Sequence, residues 1–152
     1  MYLALKLVHV AAVVMFLGNI TTGLFWHRHA VRSGDAGKLA HAVDGIIRSD
    51  RWFTGPGAVV ITVTGIGLAQ VGKLPILGTG WIAVSLLAFI ASGAIFGMRV
   101  APLQRRLLAL ARASAFDAPA YHALARRWET WGGIALVLPL VALALMVLKP
   151  AF

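Results

Sequence analysis

Four long apolar stretches constrain this chain more than any other feature of its sequence. Approximately Tyr2 to Trp26, Phe53 to Gly72, Gly80 to Met98 and Trp131 to Leu148 are apolar enough to cross a hydrocarbon core of ~30 Å, which takes about 20 helical residues. Only short polar connections separate them. Of the 152 residues, 60% are apolar and 12% charged, so most burial must come against lipid or between the helices themselves. The expected fold is all-α: one integral membrane domain over residues 1–152, a four-transmembrane-helix bundle with helical extensions on the cytoplasmic side.

Fourteen basic residues against five acidic ones give a formal net charge of +9, a balance that could serve phosphate binding. Their positions point elsewhere. Arg28, Arg32, Lys38, Arg48 and Arg51 fall between spans one and two, and Arg99, Arg105, Arg106, Arg112, Arg126 and Arg127 between spans three and four. Only Lys6, Lys73 and Lys149 belong to the other side. Basic loops stay in the cytoplasm during insertion, so both termini are expected on the non-cytoplasmic side. The expected partner of this charge is the anionic inner leaflet of the lipid bilayer, not nucleic acid. The absence of cysteine excludes disulfides, iron–sulfur clusters and thiol catalysis. The first apolar stretch lacks a basic start and carries Lys6 and His9, so it reads as a retained helix rather than a secretory signal.

Ser33-Gly34-Asp35 breaks the chain after span one. From Ala36 to Ser49, Leu39, Val43, Ile46 and Ile47 recur at helical spacing opposite Lys38, His41, Asp44 and Arg48, which predicts a short amphipathic helix lying at the cytoplasmic interface. Thr54-Gly55-Pro56-Gly57 reads as the opening of span two, with proline in a first helical turn. Leu103, Leu107 and Leu110 continue the stripe of span three into the cytoplasm, with Pro102 as a possible kink. Asp117 before Pro119 predicts the N-cap of the last helix. Along that helix Tyr121, Leu124, Trp128 and Trp131 form one stripe, read as packing and an interfacial aromatic belt. Small residues allow close helix approach in a membrane, so Gly18 with Thr22, and Gly93 with Gly97, read as packing faces within the bundle or between the copies of a homodimer. Gly65 and Gly67 thin span two.

His9 is the most informative residue for chemistry, because an ionisable side chain about two turns inside an apolar helix is costly and needs a strong partner. A neutral imidazole can ligate haem iron, or it can hydrogen-bond to a neighbouring helix. Met146 lies at similar depth on span four and is the candidate second axial ligand, the alternative being an apolar filler. Lys6 and Lys149 lie near the same surface, where they could pair with haem propionates or simply reach the headgroups. His27, His29, His41 and His122 read as interfacial, solvated histidines, since rings two residues apart on a helix point to different sides. Asn19, Thr21 and Thr22 read as interhelical hydrogen-bonders. No phosphate-binding loop, nucleophile elbow, paired intramembrane carboxylates or voltage-sensor arginine repeat is present, which argues against an ATP-driven pump, a hydrolase or an ordinary proton-coupled carrier.

Several short motifs carry a resemblance. Tyr2-Leu3-Ala4-Leu5-Lys6-Leu7-Val8-His9-Val10, Gly23-Leu24-Phe25, Thr54-Gly55-Pro56, Gly80-Trp81 and Val147-Leu148-Lys149-Pro150 occur in the order seen in HemJ-type membrane proteins. The whole chain resembles a bacterial family of predicted integral membrane proteins of unknown function, itself distantly similar to HemJ. That resemblance implies a bacterial inner-membrane location and a haem b held in a helical bundle, with the HemJ opening histidine falling on His9. Where HemJ-type proteins tend to carry a lysine and a histidine on the third span, this chain has Ser85 and Phe96, and Trp128-Glu129-Thr130-Trp131 stands in place of their asparagine-glutamate-x-proline pattern. The porphyrinogen oxidase reaction is therefore not carried over. The leading expectation is a membrane haem b protein that passes electrons at the outer half of the membrane, to or from an unidentified redox partner. Its rivals are a non-enzymatic structural or assembly subunit that binds another membrane protein, and a small transporter.

Overall fold

The computed structural model describes residues 1–151. Its elements are α1 (Tyr2–Arg32), α2 (Ala36–Ser49), α3 (Gly55–Val71), α4 (Gly80–Ile95), α5 (Ala101–Ala111) and α6 (Ala118–Leu148), with no strand among the described residues. Four continuous helical rods, Tyr2–Arg32, Ala36–Val71, Gly80–Ala111 and Ala118–Leu148, are long and apolar enough to cross a membrane. The protein is a multi-pass integral membrane protein. Thirty-one residues of α1 rise about 46 Å at ~1.5 Å each, against a hydrocarbon core of ~30 Å, so the rods overshoot the bilayer. Counting about 20 residues from the termini sets the far hydrocarbon boundary near Gly23, Val100 and Trp128. The overshoot falls at the end that carries the arginine-rich connections, called here the basic end.

Ser33-Gly34-Asp35 makes the first reversal as expected, with Gly34 at φ +65° and the Asp35 carboxylate accepting from Lys38 N–H to cap α2. That hydrogen bond holds the Asp35 carboxyl below the usual carboxylate range. Asp117 caps α6 in the same way through Ala120 N–H.

Proline shapes the rods without breaking them. Between α2 and α3, and again between α4 and α5, one turn widens into a π-helix, Asp50–Thr54 and Phe96–Val100. Gly55 N–H donates to Asp50 O and Ala101 N–H to Phe96 O, five residues back instead of four. Each wide turn ends two residues before a proline, Pro56 or Pro102. A proline ring collides with the carbonyl one turn earlier and offers it no N–H, and a local π turn relieves that collision while the helix continues. Pro56 therefore does not open a helix, contrary to the reading of Thr54-Gly55-Pro56-Gly57 as a start: Ala36 to Val71 is one rod with a wide turn inside it. In α6, Pro139 leaves the carbonyl of Ala135 without its helical donor, and Ser92 Oγ of α4 donates to that oxygen at 2.6 Å.

Within the membrane the rods associate as two antiparallel pairs, α1 with α3 and α4 with α6, while the backbones of α3 and α4 stay more than 8 Å apart. Small residues set the first pair: a Cβ on Gly57 would meet Phe16, on Gly65 His9, and on Gly67 Leu5. Gly18, Gly93 and Gly97 have open space beside them, so they do not pack helices within this chain. The pairs touch through the Phe16 and Phe89 rings, 5.5 Å apart, and where Leu24 reaches Gly132.

Beyond the bilayer the overshooting ends build a second, protein-like core around Leu39, Val43, Leu107, Tyr121, Ala125 and Trp128. The amphipathic helix α2 has the expected bounds, but α5 and α1 cover its apolar face instead of lipid. Asp44, paired with Arg48 at 2.8 Å and Arg112 at 3.3 Å, ties the exposed rim of α2 to the end of α5.

Candidate functional site

The first wide turn places a carboxylate inside the bundle. Asp50 Oδ1 accepts from Asn19 Nδ2 of α1 at 3.0 Å and from Thr54 Oγ1 at 2.7 Å, and its Oδ2 accepts from Gln104 Nε2 of α5 at 2.8 Å. Asn19 Nδ2 also donates to Thr54 Oγ1 at 2.9 Å. Three rods meet at one acidic group. Every donor is neutral, and among the described residues Asp50 makes no ion pair. Asn19 lies about one turn inside the hydrocarbon boundary reckoned for α1, Gln104 about one turn outside that of the third rod, and Asp50, about 20 residues from the end of α3 at Val71, at the boundary itself, where a carboxylate held by three helices is a candidate functional group.

This network borders a cavity of about 240 Å³ between the two helix pairs. It runs from the Phe16 and Phe89 rings to Gln104 and Trp128, and both wide turns contribute to its wall through Asp50, Thr54, Phe96 and Val100. Gly23, Gly55, Gly93 and Gly132 leave room for it. The backbones of α3 and α4 stay more than 8 Å apart, and the cavity forms a cleft between the helix pairs. Trp128, one of its lining residues, is 3% exposed, and its Nε1–H is buried with no hydrogen-bond partner. A mostly apolar cleft with one carboxylate and one unmet donor has the chemistry of a small-molecule site.

A second polar cluster stands behind Trp128. His27, expected to be solvated, is 0% exposed: its Nδ1 lies 3.1 Å from Glu129 Oε1, its Nε2 lies 3.1 Å from the Tyr121 hydroxyl, and its ring packs 4.7 Å from the Trp128 ring. Arg28 Nε donates to Glu129 Oε2 at 3.3 Å. The correction has a simple cause: α1 overshoots the bilayer, so residues beyond it meet α6 rather than water. Tyr121 and Trp128 are accordingly core residues, whereas Trp131 is half-buried under Arg99. His29 and His41 are exposed and His122 is half-buried. Of the hydroxyl and amide groups on span one, Asn19 does bond between helices, but Thr21 Oγ1 donates to Leu17 O of its own helix and Thr22 is exposed.

His9 is half-buried between α1 and α3, its Nδ1 2.9 Å from Thr64 Oγ1 and its Cε1 under Gly65. Since the Thr64 hydroxyl proton is donated to Val60 O, Thr64 Oγ1 accepts from Nδ1–H, and Nε2 is left as the basic nitrogen. Met146 is half-buried on α6, Lys6 is exposed, and the Lys149 ammonium lies 5.7 Å from the Trp81 ring centroid at the left-handed end of α6. None of these four residues lines the cleft. No cluster of three or more metal-ligating His, Cys, Asp or Glu side chains exists among the described residues. The donor chemistry of a haem-binding imidazole is present at His9, one turn from Lys6 on the same helix.

Comparison with known proteins adds the family. The family model matches residues 3–150, nearly the whole chain, under the description of a predicted integral membrane protein. The chain belongs to the DUF2269 family. No curated protein and no solved structure matches it. Within this DUF2269 chain, reading the sequence singled out His9 but missed Asp50, Gln104 and His27. The proline that follows each wide turn, Pro56 or Pro102, does not by itself mark one, since Pro139 sits within regular α-helix.

Proposed function

We propose that this protein binds a lipid-soluble molecule bearing an amine or hydroxyl head, taken up from the bilayer into the cleft between its helix pairs. The observation that carries the reading is the Asp50 carboxylate at the cleft wall, surrounded by neutral donors and lacking any cation. A charge kept from water and left without a counter-charge is costly. A cationic or donor head seated beside Oδ2 would reduce that cost, and an acceptor on the same ligand would satisfy Trp128 Nε1–H. Apolar walls from Phe16 to Ala135 suit a hydrocarbon portion.

The test uses three probes of equal chain length, dodecylamine, dodecanol and dodecanoate, titrated onto the detergent-purified protein and followed by native mass spectrometry. Binding should fall in that order. Asp50→Asn should abolish the amine preference, a loss of about tenfold or more. Gly93→Leu, which adds a side chain to a cleft-lining position with open space beside it, should reduce binding of all three without unfolding. Equal binding of amine and carboxylate, or indifference to both substitutions, sinks the reading.

A second reading is supported by the His9 tautomer. With Nδ1–H held by Thr64, Nε2 is the free lone pair that iron would take, and the resemblance to HemJ-type proteins points to haem b. Bound haem would supply one-electron transfer; His9 would hold the iron, and Thr64 would fix the ring. An absorption band near 400–430 nm in protein expressed with added haem, lost in His9→Ala and weakened in Thr64→Val, is the expected outcome. A colourless protein under those conditions removes this reading and leaves the cleft proposal standing.

A further inference from the structure

Three arginines converge on one hollow at the outside of the basic end. Arg99, Arg106 and Arg127 line a space of about 150 Å³ with Met98, Pro102 and Leu103. Two of them come from the third rod on either side of the second wide turn's end, and one comes from α6. No carboxylate is among the lining residues. The nearest acid in sequence, Glu129, is already engaged by His27 and Arg28, and Asp44 by Arg48 and Arg112. All three are exposed, and like charges lining one hollow without a counter-charge repel one another.

The depth of the hollow identifies the missing anion. Arg99 and Arg127 both lie at the reckoned hydrocarbon boundary, where phosphates of the headgroup layer are found. Arg99 is further held over the Trp131 ring at 5.4 Å, an arrangement that keeps its guanidinium at that level. Met98, 69% exposed on the membrane side of Arg99, offers an apolar surface to an acyl chain. Guanidinium suits phosphate because its planar set of donors matches phosphate oxygens.

We propose that Arg99, Arg106 and Arg127 form a binding site for the phosphate headgroup of an anionic lipid. The site is independent of the cleft and of Asp50. The experiment is native mass spectrometry of the full chain in detergent, titrated with phosphatidylglycerol or phosphatidylcholine. Here no membrane surface potential contributes. Phosphatidylglycerol should bind with defined stoichiometry and phosphatidylcholine should bind more weakly. Replacing Arg99, Arg106 and Arg127 together by glutamine should weaken phosphatidylglycerol binding by about tenfold or more. The matched control, Arg32, Lys38 and Arg51 to glutamine, removes the same charge elsewhere and should change it less than about twofold. Equal loss in both triple variants, or equal binding of the two lipids, overturns the proposal. A third arm adds glycerol 3-phosphate: displacement of the lipid at equal concentration would make the site one for a soluble phosphate and overturn the lipid assignment.

Discussion

Alanine in place of His27 is expected to destabilise the basic end by about 3 kcal/mol, the sum of a lost buried side chain and unmet hydrogen bonds. The imidazole joins Tyr121 to Glu129, and it fills the space against Trp128. Its removal leaves a buried hydroxyl without its partner and a carboxylate held by Arg28 alone. The Trp128 environment changes first, so the unfolding midpoint should be read by tryptophan fluorescence in detergent. His27→Gln keeps a donor and an acceptor on a side chain of similar reach and should cost about 1 kcal/mol. A midpoint unmoved by His27→Ala would show that the cluster contributes nothing to stability.

Asp50→Ala should be of comparable size, for a different reason. Asn19, Thr54 and Gln104 all direct donors at one carboxylate, and each donor left buried and unpaired costs about 1–3 kcal/mol. The sum is not additive, because Asn19 and Thr54 can still bond to each other. A net loss of about 3 kcal/mol is expected. Removing most of the network should behave otherwise: with Asn19, Asp50 and Gln104 all changed to leucine, only the Thr54 hydroxyl loses its side-chain partners, and stability should return most of the way to the starting value. Amine binding would not return with it. Stability and binding measured across these two variants therefore separate a carboxylate kept for holding the helices together from one kept for a ligand. If the triple variant were as unstable as Asp50→Ala, the packing role would be the larger one.

These two residues also show where the sequence stopped being legible. Hydropathy located the four rods, and local chemistry located α2, the Ser33–Asp35 break, the Asp117 cap and the continuation of span three past Pro102, because each of those signals is carried within a few residues. His27 could not be placed that way. Its partners Glu129 and Tyr121 are about a hundred residues away, and its burial depends on how far α1 runs past the bilayer. Asp50 was hidden by its neighbours: flanked by Arg48 and Arg51, it reads as part of a polar connection, whereas the rod carries straight through it. His9 was visible because it is a lone polar group in an apolar run, yet its actual partner, Thr64, is a residue type too common in membrane helices to be picked out beforehand.

The two wide turns have a consequence for how this family can vary. Each holds one residue more than an α turn, so losing a single residue there would leave an ordinary helix whose two halves still face their present neighbours. A deletion elsewhere along a rod would swing everything beyond it by about 100° and turn lipid-facing side chains inward. Length differences among relatives should therefore concentrate beside Pro56 and Pro102, and a relative shortened there would lose the wide turn that now carries Asp50 at the cleft wall.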